Sequence, residues 1–409
     1  HHILTLASFG LINTVFYLLY GSSKFFSGII SDRVNARYFM SIGLIITGVA
    51  NIGFGLSSHL LWFFVFWMIN AIFQGWGWPP CAKLLTHWYP RAERGRWWSL
   101  WNTCHNVGGA LIPLLVGFIL LKFNHWYLGM MIPGLIGVIM GVFLMIGLRD
   151  VPSTLGLPEP ASITATENEE SVGSDSDSLG VILSRYVLRN PYLWLLAISY
   201  VVVYVIRTAI NDWGSLYLSE NVYLSGNINH RVMLSNDSMS FLEIGGFLGS
   251  LAAGWMSDII FKGKRSQTNV IFTLGTIASV LLFWYLRSPS FYLQAIAIFI
   301  IGFCIFGPQM LIGVAAAEVS HKRAAGAATG FVGLFGYLGA ALTGYPMSQL
   351  LGATQHAHHN WSAFFEVLVI CGVIAVVLLS SVWYLMARKE SATTSFASVK
   401  DHILEENLA

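Results

Sequence analysis

The chain has 409 residues, 55% of them hydrophobic and 10% charged, whereas soluble domains carry roughly 25% charged residues. So few charges cannot cover a water-facing exterior, and the 27 Phe and 15 Trp suit a surface that faces lipid with Trp and Tyr gathered at the interfaces. A net charge of +2 with scattered basic residues excludes nucleic-acid binding, which needs basic groups massed on one face.

A bilayer span takes about 20 mostly apolar residues. Taken in chain order, such stretches predict eleven transmembrane helices, near 6–30, 38–56, 60–84, 97–121, 127–148, 193–218, 234–257, 268–286, 289–317, 327–350 and 363–387. The fold class is an all-α membrane protein. The polar stretch 149–190, acidic and Ser-rich from Thr164 to Ser178, reads as a solvated linker. It separates a first half (1–148) from a second (191–387), which a tail follows (388–409). The loops after the odd-numbered spans, together with the tail, hold most of the 22 Lys and Arg, while the opposite loops hold Lys122, Arg231 and Arg287. By the positive-inside tendency the C-terminus is cytoplasmic and residue 1 lies outside. Cys81, Cys104, Cys304 and Cys371 sit in apolar stretches without paired spacing and read as small buried hydrophobes.

The halves repeat each other. Gly28-Ile-Ile-Ser-Asp32-Arg33 ends the first span, and Gly254-Trp-Met-Ser-Asp258 ends the seventh, followed by Lys262, Lys264 and Arg265. Glu93-Arg94-Gly95 and Trp78-Pro79-Pro80 have counterparts near Gly326 and Gly307-Pro308-Gln309. Internal repeats of this kind are common among transporters. The motif ends the second helix of the second half but the first span of this chain, which predicts one further helix before residue 1. An aspartate at a helix end beside a basic loop reads either as a gate latch, with Asp32, Arg33, Arg37 and Asp258 as its residues, or as a topology signal alone.

A charged side chain at mid-bilayer costs about 3 kcal/mol or more unless a partner or a water-filled cavity receives it. Lys24, His105 and Arg207 sit at such depths and all are basic, so the missing counter-charge is most simply an anionic ligand. The planar fork of Arg suits phosphate, and Lys supplies a compact charge. The alternative is an internal ion pair to Asp212, Glu243 or Glu318. Tyr20 shares a helix face with Lys24, Trp101 with His105, and Tyr204 with Arg207. These aromatics either line a sugar or simply pack, and Trp78, Asn106, Tyr337 and Gln309 are similar candidates. His356, His358 and His359 have a spacing that could hold a metal, but solvated loop residues explain them better. No clustered nucleophile and base points to an enzyme.

At this point the residues carry a resemblance. Gly75-Trp-Gly-Trp-Pro-Pro80, Trp101-Asn-Thr-Cys-His-Asn-Val-Gly-Gly109, Arg149-Asp-Val-Pro, Asn211-Asp-Trp213 and Gly330-Phe-Val-Gly-Leu-Phe-Gly-Tyr-Leu-Gly339 resemble the organophosphate:phosphate antiporters of the major facilitator superfamily. Ala209-Ile-Asn-Asp-Trp-Gly and Gly307-Pro-Gln-Met-Leu-Ile-Gly-Val-Ala-Ala-Ala-Glu318 are similar to the hexose-phosphate branch, and within it to receptor-like members. The resemblance implies two pseudo-symmetric six-helix halves, here lacking the first helix. It also implies a phosphate held by two arginines, of which Arg207 matches the second while the first would lie in the absent helix. Thr208 stands where some relatives carry an aromatic residue. The implied partners are a sugar phosphate, inorganic phosphate and the lipid bilayer of a bacterial inner membrane. Two readings stay open: an exchanger of hexose 6-phosphate for phosphate, and a receptor for external glucose 6-phosphate that signals to a membrane histidine kinase. No cofactor is implied.

Overall fold

In lipid every backbone N–H and C=O must find its partner within the protein, which leaves the helix as the economical spanning element. The computed structural model describes residues 5–31, 34–89, 91–158, 187–262, 264–320, 325–352 and 359–406, and no strand occurs among them. In the first half the helices are α1 (Leu6–Ser31), α2 (Ala36–Leu56), α3 (Leu60–Gln74), α4 (Trp78–Trp88), α5 (Arg91–Phe123) and α6 (Leu128–Gly147). The second half has α7 (Pro191–Asn221), α8 (Ile228–Trp255), α9 (Arg265–Tyr285), α10 (Phe291–Val319), α11 (Ala325–Leu342), α12 (Tyr345–Gly352) and α13 (Trp361–Glu406). The ends follow from local chemistry. Asn190 caps α7 by accepting from the Tyr192 N–H at 3.1 Å, with Pro191 at the first position, where its missing N–H costs nothing.

Among the described residues eight helical stretches are long and apolar enough to cross a membrane, one of them running from α3 into α4. Three of the spans read from sequence are not among the eight: the tenth, which is divided between α11 and α12, and the two formed by α1 and α8, each of which carries a polar face, with Asn13, Thr14, Tyr17, Tyr20 and Lys24 on α1 and Asn236, Asp237 and Glu243 on α8. Both helices lie where the halves meet. The halves join through α1 against α11 and α12, and through α5 against α8. On the outside, by contrast, α6 exposes Leu135, Ile136, Ile139, Phe143 and Ile146, a surface suited to lipid.

Two of the predicted spans are broken. The third splits at Gly75–Gly77, because Pro79 and Pro80 occupy the start of α4 and cannot donate helix hydrogen bonds. The break abuts α1: Ser27 Oγ donates to the Gly75 carbonyl at 2.9 Å, and a Cβ on Gly75 would lie 2.8 Å from Ser23 Oγ. The tenth splits between Leu342 and Tyr345, where Thr14 Oγ1 donates to the Ala341 carbonyl at 2.8 Å and accepts from the Tyr345 N–H at 2.7 Å. Only glycine fits there, since a Cβ on Gly344 would collide with Thr14 Oγ1. The last helix does not stop at the expected tail but continues as α13 to Glu406.

The second half is centred on α7, whose Leu193, Leu196, Ile206, Ile210, Trp213 and Leu218 are almost completely buried. Beside it α8 and α10 cross so closely that a Cβ on Gly249 would run into the Phe303 carbonyl oxygen. Of the cysteines expected to be buried, Cys104 is exposed and the other three are half-buried. The acidic part of the linker, Thr164 to Ser178, lies outside the described residues.

Candidate functional site

Arg207 occupies the middle of α7, with Tyr204 and Tyr200 following on the same face toward the helix start. Its Nη2 lies 3.2 Å from His105 Nε2 on α5 and 3.3 Å from Glu243 Oε1 on α8, and its guanidinium stands over the Phe306 ring of α10 at 4.7 Å. Glu243 is held in turn by Asn106, whose Nδ2 donates to Oε2 at 3.1 Å. The expectation that the basic groups find no protein counter-charge is therefore corrected for Arg207. Glu243 lies 36 positions along the chain on a different helix, and Asn106 orients it from the opposite half. The Arg207 Nε remains buried without a partner, so the fork is only partly engaged.

Lys24 differs. Its Nζ donates to the Tyr337 hydroxyl at 3.1 Å and lies 5.0 Å from the Trp78 ring and 5.3 Å from the Tyr337 ring. Among the described residues no carboxylate is paired with it. Cation–π contacts of this kind contribute roughly 0.5–2 kcal/mol and hold the ammonium without neutralising it. Tyr20 packs edge-on to Tyr337 at 4.9 Å, Tyr204 to Tyr337 at 5.9 Å, and Trp101 packs on Trp78 at 4.3 Å. The eight substrate-site candidates read from sequence thus form one layer of contacts running from Trp101 and His105 through Arg207, Tyr204 and Tyr337 to Tyr20, Lys24 and Trp78. Thr208 is buried.

Three carboxylates were alternatives for Arg207, and each has its own place. Asp212 accepts from the Tyr17 hydroxyl through both oxygens at 2.9 Å, across the interface between the halves. Glu318 pairs with Arg265 at 3.1 Å, and Arg265 also pairs with Asp258. Asp258 lies in a π-helical turn, Met256–Ile260, that ends α8. Arg37 donates to the carbonyls of Met145 and Ile146 at the end of α6. Asp32 and Arg33 lie outside the described residues, as do His356 and His358, while His359 Nδ1 meets Glu220 Oε2 at 2.7 Å. No cluster of three His, Cys, Asp or Glu side chains occurs among the described residues.

Sequence reasoning missed Lys83 and Asp150. Lys83 Nζ donates to the carbonyls of Ser31 at 3.2 Å and Val34 at 2.8 Å and lies 3.6 Å from Asp150. Asp150 accepts from the Ala36 N–H at 3.0 Å, holding the start of α2. The Arg149-Asp-Val-Pro motif carried that signal, since an aspartate just past a helix end is a natural cap for a neighbour.

The contacts between halves are uneven. Thr14–Ala341, Tyr17–Asp212, Asn106–Glu243 and Asn124–Asn229 join them on one side of Arg207 or level with it. Toward the charged loops, no hydrogen bond among the described residues joins them beyond Lys24–Tyr337, and a Cβ on Gly28, Gly313 or Gly330 would meet nothing within 4 Å. Among the described residues the halves are thus joined mainly at one end of the site, the sealed end, and only sparsely toward the charged loops, the open end.

A pair of helical halves meeting around a polar, basic site, with helices long and apolar enough to cross a membrane, defines an integral membrane protein. Residues 1–344 match the family model for the Major Facilitator Superfamily, and the chain belongs to that family. It is 51% identical over 382 residues to the membrane sensor protein UhpC of Escherichia coli (strain K12), covering 92% of this chain and 84% of the relative. It is 47% identical to a probable hexose phosphate transport protein of Chlamydia trachomatis, with 92% and 83% covered, and 34% identical to the glycerol-3-phosphate transporter of Bacillus subtilis, with 93% and 85% covered. In fold it is similar to a mutant form of the nucleoside transporter NupG, with a TM-score of 0.69 at 17% identity over 93% of this chain and 92% of that one. The chain is not an enzyme.

Proposed function

We propose that this protein exchanges a sugar phosphate, hexose 6-phosphate, for inorganic phosphate by alternating access across a bacterial inner membrane, with its C-terminus cytoplasmic. The observation that carries the reading is the layer at mid-membrane in which Arg207, His105 and Lys24 converge from three helices and both halves. Arg207 presents an incompletely used fork and Lys24 an ammonium with no carboxylate partner among the described residues, which together suit an oxyanion. Relatives named for hexose phosphate and glycerol 3-phosphate transport support phosphate as the shared part of the ligand. The two halves, 1–148 and 191–387, rock around this layer. On this reading Asp32, Arg33, Arg37 and Asp258 serve as the gate at the charged end, and the linker 149–190 joins the halves on the cytoplasmic side.

The test is counterflow in proteoliposomes loaded with phosphate. Labelled glucose 6-phosphate should enter in exchange, and saturable binding with no exchange would exclude the exchanger. A second reading rests on the 51% identity to a sensor protein: the same site binds external glucose 6-phosphate, and the closed form signals to a membrane histidine kinase. Binding without counterflow is the outcome that favours it.

A further inference from the structure

The two sides of the Arg207 layer are built differently. On the sealed side the contacts between halves are made by short groups that satisfy one another, Tyr17 with Asp212 and Thr14 with Ala341. On the open side lie side chains that can meet a polyhydroxylated ligand. Tyr204 and Tyr200 follow Arg207 along one face of α7, and their rings are 4.7 Å apart. Helix α10 runs antiparallel beside them, with Phe306 against Arg207 and, one turn on, Gln309 against Tyr200, whose hydroxyl donates to the Gln309 carbonyl at 3.0 Å.

Gln309 is the anomaly in this row. Its Oε1 is enclosed yet has no hydrogen-bond partner, although its backbone is fixed by Tyr200 and by the adjoining Pro308. Buried acceptors are ordinarily satisfied, and one that is not calls for an explanation. One turn further on the same face, a Cβ on Gly313 would meet nothing within 4 Å, which leaves room beside that turn of α10 toward the charged loops. A carboxamide offers two donors and an acceptor on one short group. A phosphate oxyanion only accepts, whereas a sugar hydroxyl donates and accepts, and two neighbouring hydroxyls use both faces of an amide.

We propose that the ligand lies with its phosphate toward the sealed end, at Arg207, His105 and Lys24, and its sugar ring toward the open end, where Gln309 selects it by hydrogen-bonding its hydroxyls. The inference rests on the reading of the site as one for sugar phosphates and adds the ligand's direction and the residue that distinguishes a sugar phosphate from bare phosphate. The amide turns about its last torsion to bring the enclosed oxygen onto a hydroxyl, and Tyr204 and Tyr337 offer ring faces to the sugar's C–H groups.

The experiment compares two probes, inorganic phosphate and glucose 6-phosphate, by calorimetric titration of the purified full-length protein and its Gln309→Leu variant. Leucine keeps much of the volume and removes the hydrogen bonds. The expected result is a loss of roughly tenfold or more in glucose 6-phosphate affinity, with phosphate affinity within about twofold. Tyr200→Phe, which frees the Gln309 carbonyl, should give a smaller loss in the same direction. Equal weakening of both probes would assign Gln309 a packing role and overturn the proposal, as would an unchanged affinity for glucose 6-phosphate. Should the leucine variant not fold, Gln309→Asn retracts the amide by one methylene and carries the same expectation. A wild-type protein that binds neither probe would overturn the sugar-phosphate reading itself. Wild-type binding of both with no selective loss in the variants overturns this inference alone.

Discussion

At the scale of single residues the site combines one neutralised and one uncompensated cation. Arg207 shares Glu243 with Asn106, so an arriving anion competes with a carboxylate 3.3 Å away. Glu243→Gln keeps a carbonyl oxygen for Asn106 but removes the competing charge. Its expected effect is tighter phosphate binding together with a lower melting temperature in the absence of ligand, because breaking a buried pair destabilises by several kcal/mol when one charge is left alone. Calorimetry and thermal unfolding of the purified protein check both signs. Arg207→Lys has the opposite sign for binding. A point charge cannot reproduce a planar fork that meets an oxyanion through two N–H groups at once, and the loss of one or two charge-assisted hydrogen bonds of about 1.5–3 kcal/mol each weakens phosphate binding by at least tenfold in the same titration. The basic triad and its aromatic neighbours were legible in the sequence, because charge at mid-membrane is conspicuous and helical spacing places Tyr20 with Lys24 and Tyr204 with Arg207. The Arg207–Glu243 pair was open as one of three alternatives. Choosing among them needs the crossing of α7, α5 and α8, which no local spacing records.

At the scale of elements, apolar run length recovered the helices of both halves but not their interruptions. The third span is apolar enough over its length to read as one helix, and its break arises from Pro79 and Pro80 combined with the seating of Gly75 on Ser23 and Ser27 of α1. The break before Tyr345 carries even less local signal, since it depends on Thr14, more than three hundred residues away. There Thr14 satisfies the Tyr345 N–H, which the interrupted helix leaves bare, and is a second donor to the Ala341 carbonyl, which also accepts from the Gly344 N–H at 3.2 Å. Thr14→Val keeps the shape and removes both bonds, leaving the Tyr345 N–H of α12 unpaired at a cost of about 1–3 kcal/mol if it stays buried. The sealed end should therefore loosen. Cysteines placed near Asn124 and Asn229 should react faster with a membrane-impermeant thiol reagent in the Thr14→Val protein than in the parent, and equal rates would remove Thr14 from the seal.

For the whole molecule the question is which contact sets the balance between the two open forms, and magnitudes separate the candidates. The Asp258–Arg265–Glu318 group lies within the second half. Asp258 is largely exposed, with 61% of its side-chain surface accessible, and exposed ion pairs are worth about 0–1 kcal/mol. Asp258→Asn should thus alter the ratio of forms by no more than about fivefold. The Tyr17–Asp212 contact is made between α1 and α7, one from each half, and must break when the sealed end opens. Hydrogen bonds to a charged group contribute about 1.5–3 kcal/mol, and each 1.4 kcal/mol is a factor of ten in the ratio. Tyr17→Phe, which keeps the ring and deletes the hydroxyl, is expected to shift the population toward the opposite open form by roughly tenfold or more, leaving Arg207, His105 and Lys24 with all their partners. Distances between spin labels on the sealed and open ends, measured in the parent, Tyr17→Phe and Asp258→Asn proteins, read the populations directly. A larger shift for Asp258→Asn than for Tyr17→Phe would move control of the cycle from the seam between the halves to the charged loops.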